Sequence, residues 1–240
     1  MPSTKRLTPA FQPIVDAHTQ RHTAAEVLAR WEHNGDLLTP AQNNDIDWIK
    51  VDIDTIELIR QHSELCRIFF PTVFINVSLE VLESDLAMRR WVQAAKSVVE
   101  ARRVSVVIEI TESIQPALLN RRWKDLKGLN VALALDDFGD KHSDFSRLTS
   151  HSWDFCKFSA KRLAQDDSLQ AALYCMDKGV SCIVEQVETI CQRDANLNLG
   201  VRLQQGYLHQ KPQTLSEYIG EKRVEKNGCS LKKTNKNNSR

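Results

Sequence analysis

The sequence predicts an α/β protein folded as a TIM-like (β/α)8 barrel. From about residue 70 onward, short apolar runs typical of buried strands alternate with segments of helical periodicity. This alternation predicts βαβ units and therefore a parallel sheet. About eight strands in a chain of 240 residues fit one closed barrel better than an open sheet. Because there is no internal linker or sequence repeat, residues 1–220 are expected to form one domain.

The N-terminal segment is predicted to open with two paired strands, the first of them antiparallel to its neighbour. Residues 11–15 are mostly apolar, and a polar turn follows over residues 16–21. This layout favours a second strand at residues 24–31 that pairs with the first. Residues 45–65 then carry apolar side chains at helical spacing.

The remaining elements alternate to the end of the predicted domain. Gly128 and Gly179 are typical helix stops, which supports a helix before each of them. Strands are predicted at residues 73–78, 104–110, 131–135, 153–158, 180–185 and 201–206, and helices at residues 81–101, 116–127, 169–178 and from Glu188 onward.

The strand at residues 131–135 is apolar throughout and ends in two adjacent carboxylates, Asp136 and Asp137. Neighbouring anions repel each other, and burying them without a partner is unfavourable. A divalent cation such as Mg²⁺, which prefers oxygen ligands, would resolve this. The C-terminal ends of barrel strands are also where barrel enzymes carry their active sites. The alternative is a turn with two solvated aspartates, because Asp is common in turns.

Polar side chains also lie at or near the ends of the other predicted strands. Strand ends converge on one face of a barrel, so five carboxylates, a lysine and amide groups would share a small site. Carboxylates at this density predict bound metal, with two ions. The residues concerned are Glu26, Asn76, Glu109, Asp136, Asp137, Lys157, Glu185 and Gln205.

The composition excludes several classes of function. The chain is 42% hydrophobic and 26% charged with a net charge of +1, so no overall field predicts a nucleic-acid or membrane partner. Its apolar runs are far shorter than a membrane span, and the polar N-terminus lacks the apolar core of a signal peptide. Six cysteines without a C-x-x-C pair favour reduced thiols in a cytoplasmic protein.

Residues 221–240 differ from the rest of the chain. They contain seven basic and two acidic residues, a net charge of +5, and only two aliphatic ones. This composition predicts a basic, disordered C-terminal tail. The tail has no aromatic residue on which bases could stack, so a nucleic-acid partner is not favoured.

The order of the motifs resembles the EAL domain, a bacterial phosphodiesterase that hydrolyses cyclic di-GMP. The family's name motif is present as Glu26-Val27-Leu28, and the resemblance runs from Phe11 to about Pro212. It implies a barrel of the EAL type. Further matching segments are Gln12-Pro13-Ile14, Asn76-Val77-Ser78, Glu109-Ile110-Thr111-Glu112, Asp136-Asp137-Phe138-Gly139, Lys157, Glu185-Gln186-Val187-Glu188-Thr189 and Gln205-Gly206-Tyr207.

The resemblance implies two divalent ions, Mg²⁺ or Mn²⁺, in each active site. Glu26, Asn76, Glu109 and Asp136 would hold one ion, and Asp136 and Asp137 would reach the second. Two metals lower the pKa of the attacking water and neutralise the charge of the phosphate.

The resemblance also implies the roles of the catalytic pair. Lys157 would contact the attacking water, and Glu185 would orient or deprotonate it. Opening one phosphodiester of the cyclic dinucleotide would give linear pGpG.

Further residues are implied to position the substrate. Gln12, Leu28, Arg30 and Gln205 would contact cyclic di-GMP, and Gln205 would also support the second metal site. Glu112 would anchor the loop that follows the DDFG motif.

The chain departs from the family pattern around this constellation. Val27 replaces the alanine of the name motif, and the Thr-Gly pair after DDFG is Asp140-Lys141. Gln186 takes the place of a glycine, which reduces backbone freedom. The loop change is expected to weaken metal binding or dimer coupling, since the loop borders the metal site.

Two readings follow from the resemblance. The first is an active cyclic di-GMP phosphodiesterase, because all the implied metal ligands are present. The second is a catalytically weak or inactive EAL protein that binds cyclic di-GMP or a regulatory protein partner. A homodimer is an expectation from resemblance alone.

Overall fold

The computed structural model describes residues 5–221 and shows a closed barrel surrounded by helices, which confirms the predicted fold class. The strands are β1 (Arg6–Leu7), β2 (Ala10–Asp16), β3 (Arg21–Leu28), β4 (Trp31–His33), β5 (Asp36–Leu38), β6 (Thr72–Val77), β7 (Ser105–Ile110), β8 (Ala132–Leu135), β9 (Phe155–Ser159), β10 (Ser181–Glu185), β11 (Leu203–Gln204) and β12 (Gln213–Thr214). The α-helices are α1 (Trp48–Gln61), α2 (Ser63–Phe69), α3 (Leu79–Glu83), α4 (Asp85–Ala101), α5 (Pro116–Lys127), α6 (Phe145–Ser150), α7 (Asp166–Lys178) and α8 (Ile190–Asn198), with a 3₁₀ turn at Pro40–Gln42.

Eight strands close the barrel in the order β2, β3, β6, β7, β8, β9, β10 and β11. From β3 to β11 they run parallel. The first barrel strand, β2, is antiparallel to both of its neighbours, β3 and β11, as the sequence predicts. Because of this reversal, the N-terminal end of β2 lies on the same face as the C-terminal ends of the other strands.

Side chains from all eight barrel strands fill the interior. They form a small apolar cluster separate from the larger core between strands and helices, as expected for a barrel packed in layers. Its members are Ile14, Ala24, Phe74, Val107, Ala134 and Ile183, with Ala132, Phe155 and Leu203 packed against them.

Several predicted elements have different boundaries. The helix predicted over residues 81–101 is two helices, because the Ser84 side chain accepts a hydrogen bond from Ala87 N and caps α4. The helix predicted over residues 45–65 is likewise divided, at His62. The second strand ends at Leu28, and Trp31 instead begins β4 of a separate sheet formed by β1, β4 and β5.

No helix within residues 5–221 is long and apolar enough to span a membrane. Four of the cysteines in this range are buried, Cys191 is exposed, and none of the five forms a disulfide. The predicted basic tail lies outside the described residues apart from Glu221.

Candidate active site

Most of the predicted site residues form a polar layer inside the barrel, directly above the apolar interior cluster. Side chains two residues apart along a strand share a face, so each polar residue follows an apolar interior residue two positions away. On the antiparallel strand β2 the order is reversed, so Gln12 precedes the interior residue Ile14 by two positions. Gln12 also faces Glu26 in the register of the β2–β3 pair. The layer consists of Gln12, Glu26, Asn76, Glu109, Asp136, Lys157, Glu185 and Gln205.

Lys157 lies at the centre of this layer. It is the middle residue of β9 rather than its end, and it is only 1% exposed. Its ammonium Nζ lies 2.5 Å from Glu109 Oε1, 2.7 Å from Glu185 Oε1, 3.0 Å from Asp136 Oδ1 and 3.4 Å from Glu26 Oε2. One cation therefore faces four carboxylates that come from four different strands or strand ends.

The charges of this cluster shift its protonation equilibria. Burial alone lowers the pKa of Lys157, but the surrounding carboxylates outweigh it and raise that pKa well above its usual value. Burial, together with repulsion from neighbouring carboxylates, raises the pKa of Glu109, Asp136 and Glu185, although Lys157 opposes the shift. The cluster has more negative charge than one lysine balances, which favours the binding of further cations.

Two amides connect the carboxylates. Asn76 Nδ2 donates to Glu109 Oε2 at 3.2 Å, and Gln205 Nε2 donates to Glu26 Oε2 at 2.9 Å. The amide oxygen of Gln205 is buried and has no hydrogen-bond partner among the described residues. A buried acceptor of this kind suits a cation or a water molecule.

Asp137 completes a second group of oxygen donors. Asp136, Asp137 and Glu185 each offer a carboxylate oxygen, and these atoms lie within 4.8 Å of one another. Burial and the charge of Asp136 raise the pKa of Asp137 to about 6. The donors are all hard oxygen ligands, so they fit Mg²⁺ or Mn²⁺ rather than a soft metal.

Glu112 contacts the loop that follows the DDFG segment. Lys141 Nζ lies 2.5 Å from Glu112 Oε1, and His142 N donates to the Glu112 carbonyl at 3.1 Å. Asp140, the extra carboxylate of this loop, forms an ion pair with Arg162. Both charges introduced by the Asp140-Lys141 pair therefore have a partner of opposite sign.

Two residues that replace family glycines keep a glycine-like backbone. Lys141 has a φ of 41° and Gln186 a φ of 55°, both in the left-handed region. Such a conformation costs a residue with a side chain roughly 1–2 kcal/mol. The chain therefore carries backbone strain at both positions, beside the carboxylate cluster.

Two cavities are lined by adjacent residues at the end of β3, the smaller by Glu26 and the larger by Val27. The larger, of about 440 Å³, is lined by Leu28, Arg30 and Asn76, among others. The smaller, of about 290 Å³, is lined by Gln12, Glu26, Glu185, Gln205 and Tyr207, among others. The four residues predicted to contact substrate are thus divided between the two cavities.

Asp52 also lines the larger cavity, although it was not among the residues predicted from the sequence. Ser78 N donates to its Oδ2 at 2.8 Å, and burial raises its pKa to about 7. The sequence does contain an indication of this position, because Asp52 lies four residues before the buried Ile56 on the apolar face of α1. A carboxylate within an apolar helical stripe indicates a group that faces another element or a cavity.

Comparison with known proteins agrees with this geometry. The chain matches the EAL domain family profile over residues 1–212. It is 26% identical to the cyclic di-GMP phosphodiesterase PdeL of Escherichia coli K12 over 237 aligned residues, which cover 89% of this chain and 64% of PdeL. It is also 26% identical to the cyclic di-GMP phosphodiesterase RocR of Pseudomonas aeruginosa PAO1, over 87% of this chain and 58% of RocR. The chain thus spans about 60% of the length of these two relatives.

A solved structure shares the fold. The manganese and cyclic di-GMP complex of Klebsiella pneumoniae BlrP1 at pH 9.0 superposes with a TM-score of 0.71 at 23% identity, covering 90% of this chain and 58% of BlrP1. At 23% identity this similarity is evidence for the fold alone. The match to the family profile, by contrast, covers most of the sequence. The chain belongs to the EAL domain family.

Proposed function

We propose that this protein hydrolyses cyclic di-GMP to linear pGpG in a reaction that depends on divalent metal. The observation that carries the proposal is the single inward layer of eight polar side chains, in which Lys157 lies among four carboxylates. The phosphodiesterase names of PdeL and RocR add support.

The donor set fits two Mg²⁺ or Mn²⁺ ions. Glu26, Asn76, Glu109 and Asp136 would hold one ion, and Asp136 and Asp137 would reach the second. When bound, such ions lower the pKa of a water ligand and neutralise phosphate charge. Gln205, whose free amide oxygen lies in the same layer, would support the second site.

The catalytic roles follow from the contacts of Lys157. Its ammonium lies 2.7 Å from Glu185 Oε1, which is direct contact, so both groups could contact one water molecule that binds beside this pair. Glu185 would accept the proton of this water as it attacks phosphorus, since its raised pKa makes it a stronger base than a solvated carboxylate. Lys157 would keep the water oriented.

The two cavities would receive the two halves of the dinucleotide. Arg30, whose guanidinium is always charged, would bind a phosphate, and the Leu28 backbone would contact the sugar. Gln12 and Gln205 would contact the half that enters the smaller cavity. Glu112 would keep the loop of residues 139–144 beside the metals, through Lys141 and the amide of His142.

The direct test is conversion of cyclic di-GMP by the purified protein. We expect pGpG to accumulate with Mg²⁺ or Mn²⁺ and not with EDTA, because the carboxylate cluster needs cations before it can accept a phosphate. Chromatography of the reaction at several times gives the measurement. Equal turnover with metal and with EDTA, or none in either, would contradict the proposal.

The second candidate function is regulatory binding of cyclic di-GMP or of a protein partner, with little catalysis. The strained Lys141, held by Glu112, favours it, because a loop fixed in one arrangement can restrict the site it borders. A homodimer, a protein partner, a cytoplasmic location and the boundary at residue 220 also remain predictions.

Replacing the altered pair by the family pair tests this reading. If the loop restrains the enzyme, Asp140→Thr with Lys141→Gly should raise the rate of hydrolysis several-fold at fixed Mg²⁺, because glycine adopts the positive φ without strain. The measurement is the initial rate of pGpG formation. Lys141→Arg keeps the charge that pairs with Glu112, and it should leave the rate near that of the wild type. If the double variant is no faster, Asp140-Lys141 is a working substitute for Thr-Gly.

A further inference from the structure

Arg147 is a buried cation with two unpaired donors. It lies on α6 and is only 3% exposed. Its Nη1 donates to Thr111 O at 3.0 Å, but its Nε and Nη2 are buried and have no hydrogen-bond partner within residues 5–221. A charged donor that is buried without an acceptor is unfavourable. The surroundings of Arg147 therefore lack an acceptor that the guanidinium requires.

Arg122 shows how a buried guanidinium is satisfied elsewhere in this fold. It is the other buried arginine within residues 5–221, at 7% exposure. Its Nε donates to Leu82 O at 2.7 Å, and its Nη2 forms an ion pair with Asp85. Both arginines thus contact a backbone carbonyl, but among the described residues only Arg122 also pairs with a carboxylate. The acceptor that suits Arg147 is therefore a carboxylate.

Glu112 is the carboxylate best placed for this role. The carbonyl that accepts from Arg147 belongs to the peptide joining Thr111 to Glu112. Burial lowers the pKa of Arg147, while the charges of Asp144 and Glu112 act against this shift, so both carboxylates are near. Asp144 is exposed and already accepts from Arg147 N as the cap of α6. Glu112 lines the larger cavity, which leaves its side chain room to change rotamer.

In the structure Glu112 pairs with Lys141 instead. Lys141 Nζ lies 2.5 Å from Glu112 Oε1, and the lysine side chain is 61% exposed. An exposed ion pair contributes little to stability, whereas an unpaired buried donor costs more. Transfer of the carboxylate to Arg147 would therefore exchange a weak exposed pair for a buried bidentate one.

We propose that Arg147 shares the Glu112 carboxylate with Lys141, and that its transfer to Arg147 frees the side chain of Lys141 and with it the loop of residues 139–144. After the transfer the loop keeps its backbone bond from His142 N to Glu112 O. This inference rests on the proposed function for its catalytic meaning, because the loop borders the carboxylates that would hold metal. Arg147 is a positioning residue in this account, since it acts on the loop through Glu112.

Nuclear magnetic resonance can observe the Arg147 side chain without metal or substrate. The Nε–H signal of Arg147 is the one that disappears in Arg147→Lys. Lys141→Met removes the competing cation, so this signal should move downfield and its exchange with water should slow about tenfold or more, because the guanidinium gains a charged partner. Adding Glu112→Gln to Lys141→Met should reverse both changes. The Arg122 signal is the internal control and should stay constant.

A double-mutant cycle in the Lys141→Met background supplies a second measurement. Glu112→Gln and Arg147→Gln should be coupled by about 2- to 150-fold in the equilibrium constant of urea unfolding. Arg121→Gln, at an exposed neighbouring arginine, should show no coupling to Glu112→Gln.

An Arg147 signal that is the same in Lys141→Met with and without Glu112→Gln, together with no coupling, would overturn the proposal. Water would then satisfy the two donors. Neither measurement uses cyclic di-GMP, so this outcome would leave the proposed phosphodiesterase function standing. A protein that hydrolyses no cyclic di-GMP would contradict that function, while the resonance and unfolding data would still decide between Glu112 and water.

Discussion

Glu185→Gln is expected to abolish most hydrolysis of cyclic di-GMP while substrate binding persists. Glutamine keeps the size of the side chain and one oxygen acceptor, but it cannot take a proton from water at neutral pH. Loss of a general base typically lowers the rate by about 10²- to 10⁴-fold. Single-turnover rates of pGpG formation measure the chemical step, and calorimetric titration with the inactive variant measures binding.

Glu188→Gln is the matched control for this change. Glu188 lines the same cavity as Glu185, but it is exposed and makes no contact with Lys157 among those described. The same substitution there should leave the chemical step within about threefold of the wild type. If Glu185→Gln retains near wild-type turnover, the proton must go to another acceptor, and Glu185 has no part in the mechanism.

Most of the polar layer could be predicted because strands have a period of two. Once a buried strand is recognised, the residue that faces the barrel interior follows from alternation, and the apolar run before Asp136 identifies both the strand and its end. Lys157 could also be found this way, although it lies mid-strand, because Phe155 and Lys157 share the inward face. The antiparallel first strand explains why Gln12 joins a layer made otherwise of residues at C-terminal strand ends.

Contacts between elements far apart in the chain could not be predicted. The pairing of Asp140 with Arg162 joins a loop to the turn after β9, and no local pattern specifies it. The residue type of Asp140 indicates added negative charge near a phosphate site, which Lys141 or a metal could compensate, but in the structure Arg162 pairs with it. Likewise, residue type predicts strain for Lys141 in a glycine position, whereas its contact with Glu112 holds the strained backbone in place.

The second large effect concerns stability. Lys157→Met should lower the free energy of unfolding by about 3–5 kcal/mol in metal-free protein, because it leaves buried carboxylates without their cation. Methionine has a similar length and no branch, so loss of packing contributes little. Urea unfolding in EDTA measures the loss, and saturating Mg²⁺ should recover part of it, since divalent cations would then neutralise the same carboxylates.

The stability lost in Lys157→Met should also depend on pH, and the pKa shifts of the buried carboxylates determine the direction of that dependence. Glu109, Asp136 and Glu185 have pKa values raised by folding, so the folded state binds more protons than the unfolded state above the ordinary carboxylate pKa. Without Lys157 the difference in bound protons is larger. The free energy of unfolding lost in Lys157→Met should therefore increase as the pH rises from 5 to 8. Lys161→Met, at an exposed lysine four residues later, should change stability by less than about 0.5 kcal/mol. A deficit of Lys157→Met that is independent of both pH and metal would mean that lost packing, rather than lost charge, accounts for it, and Lys157 would then not balance the carboxylates of the barrel.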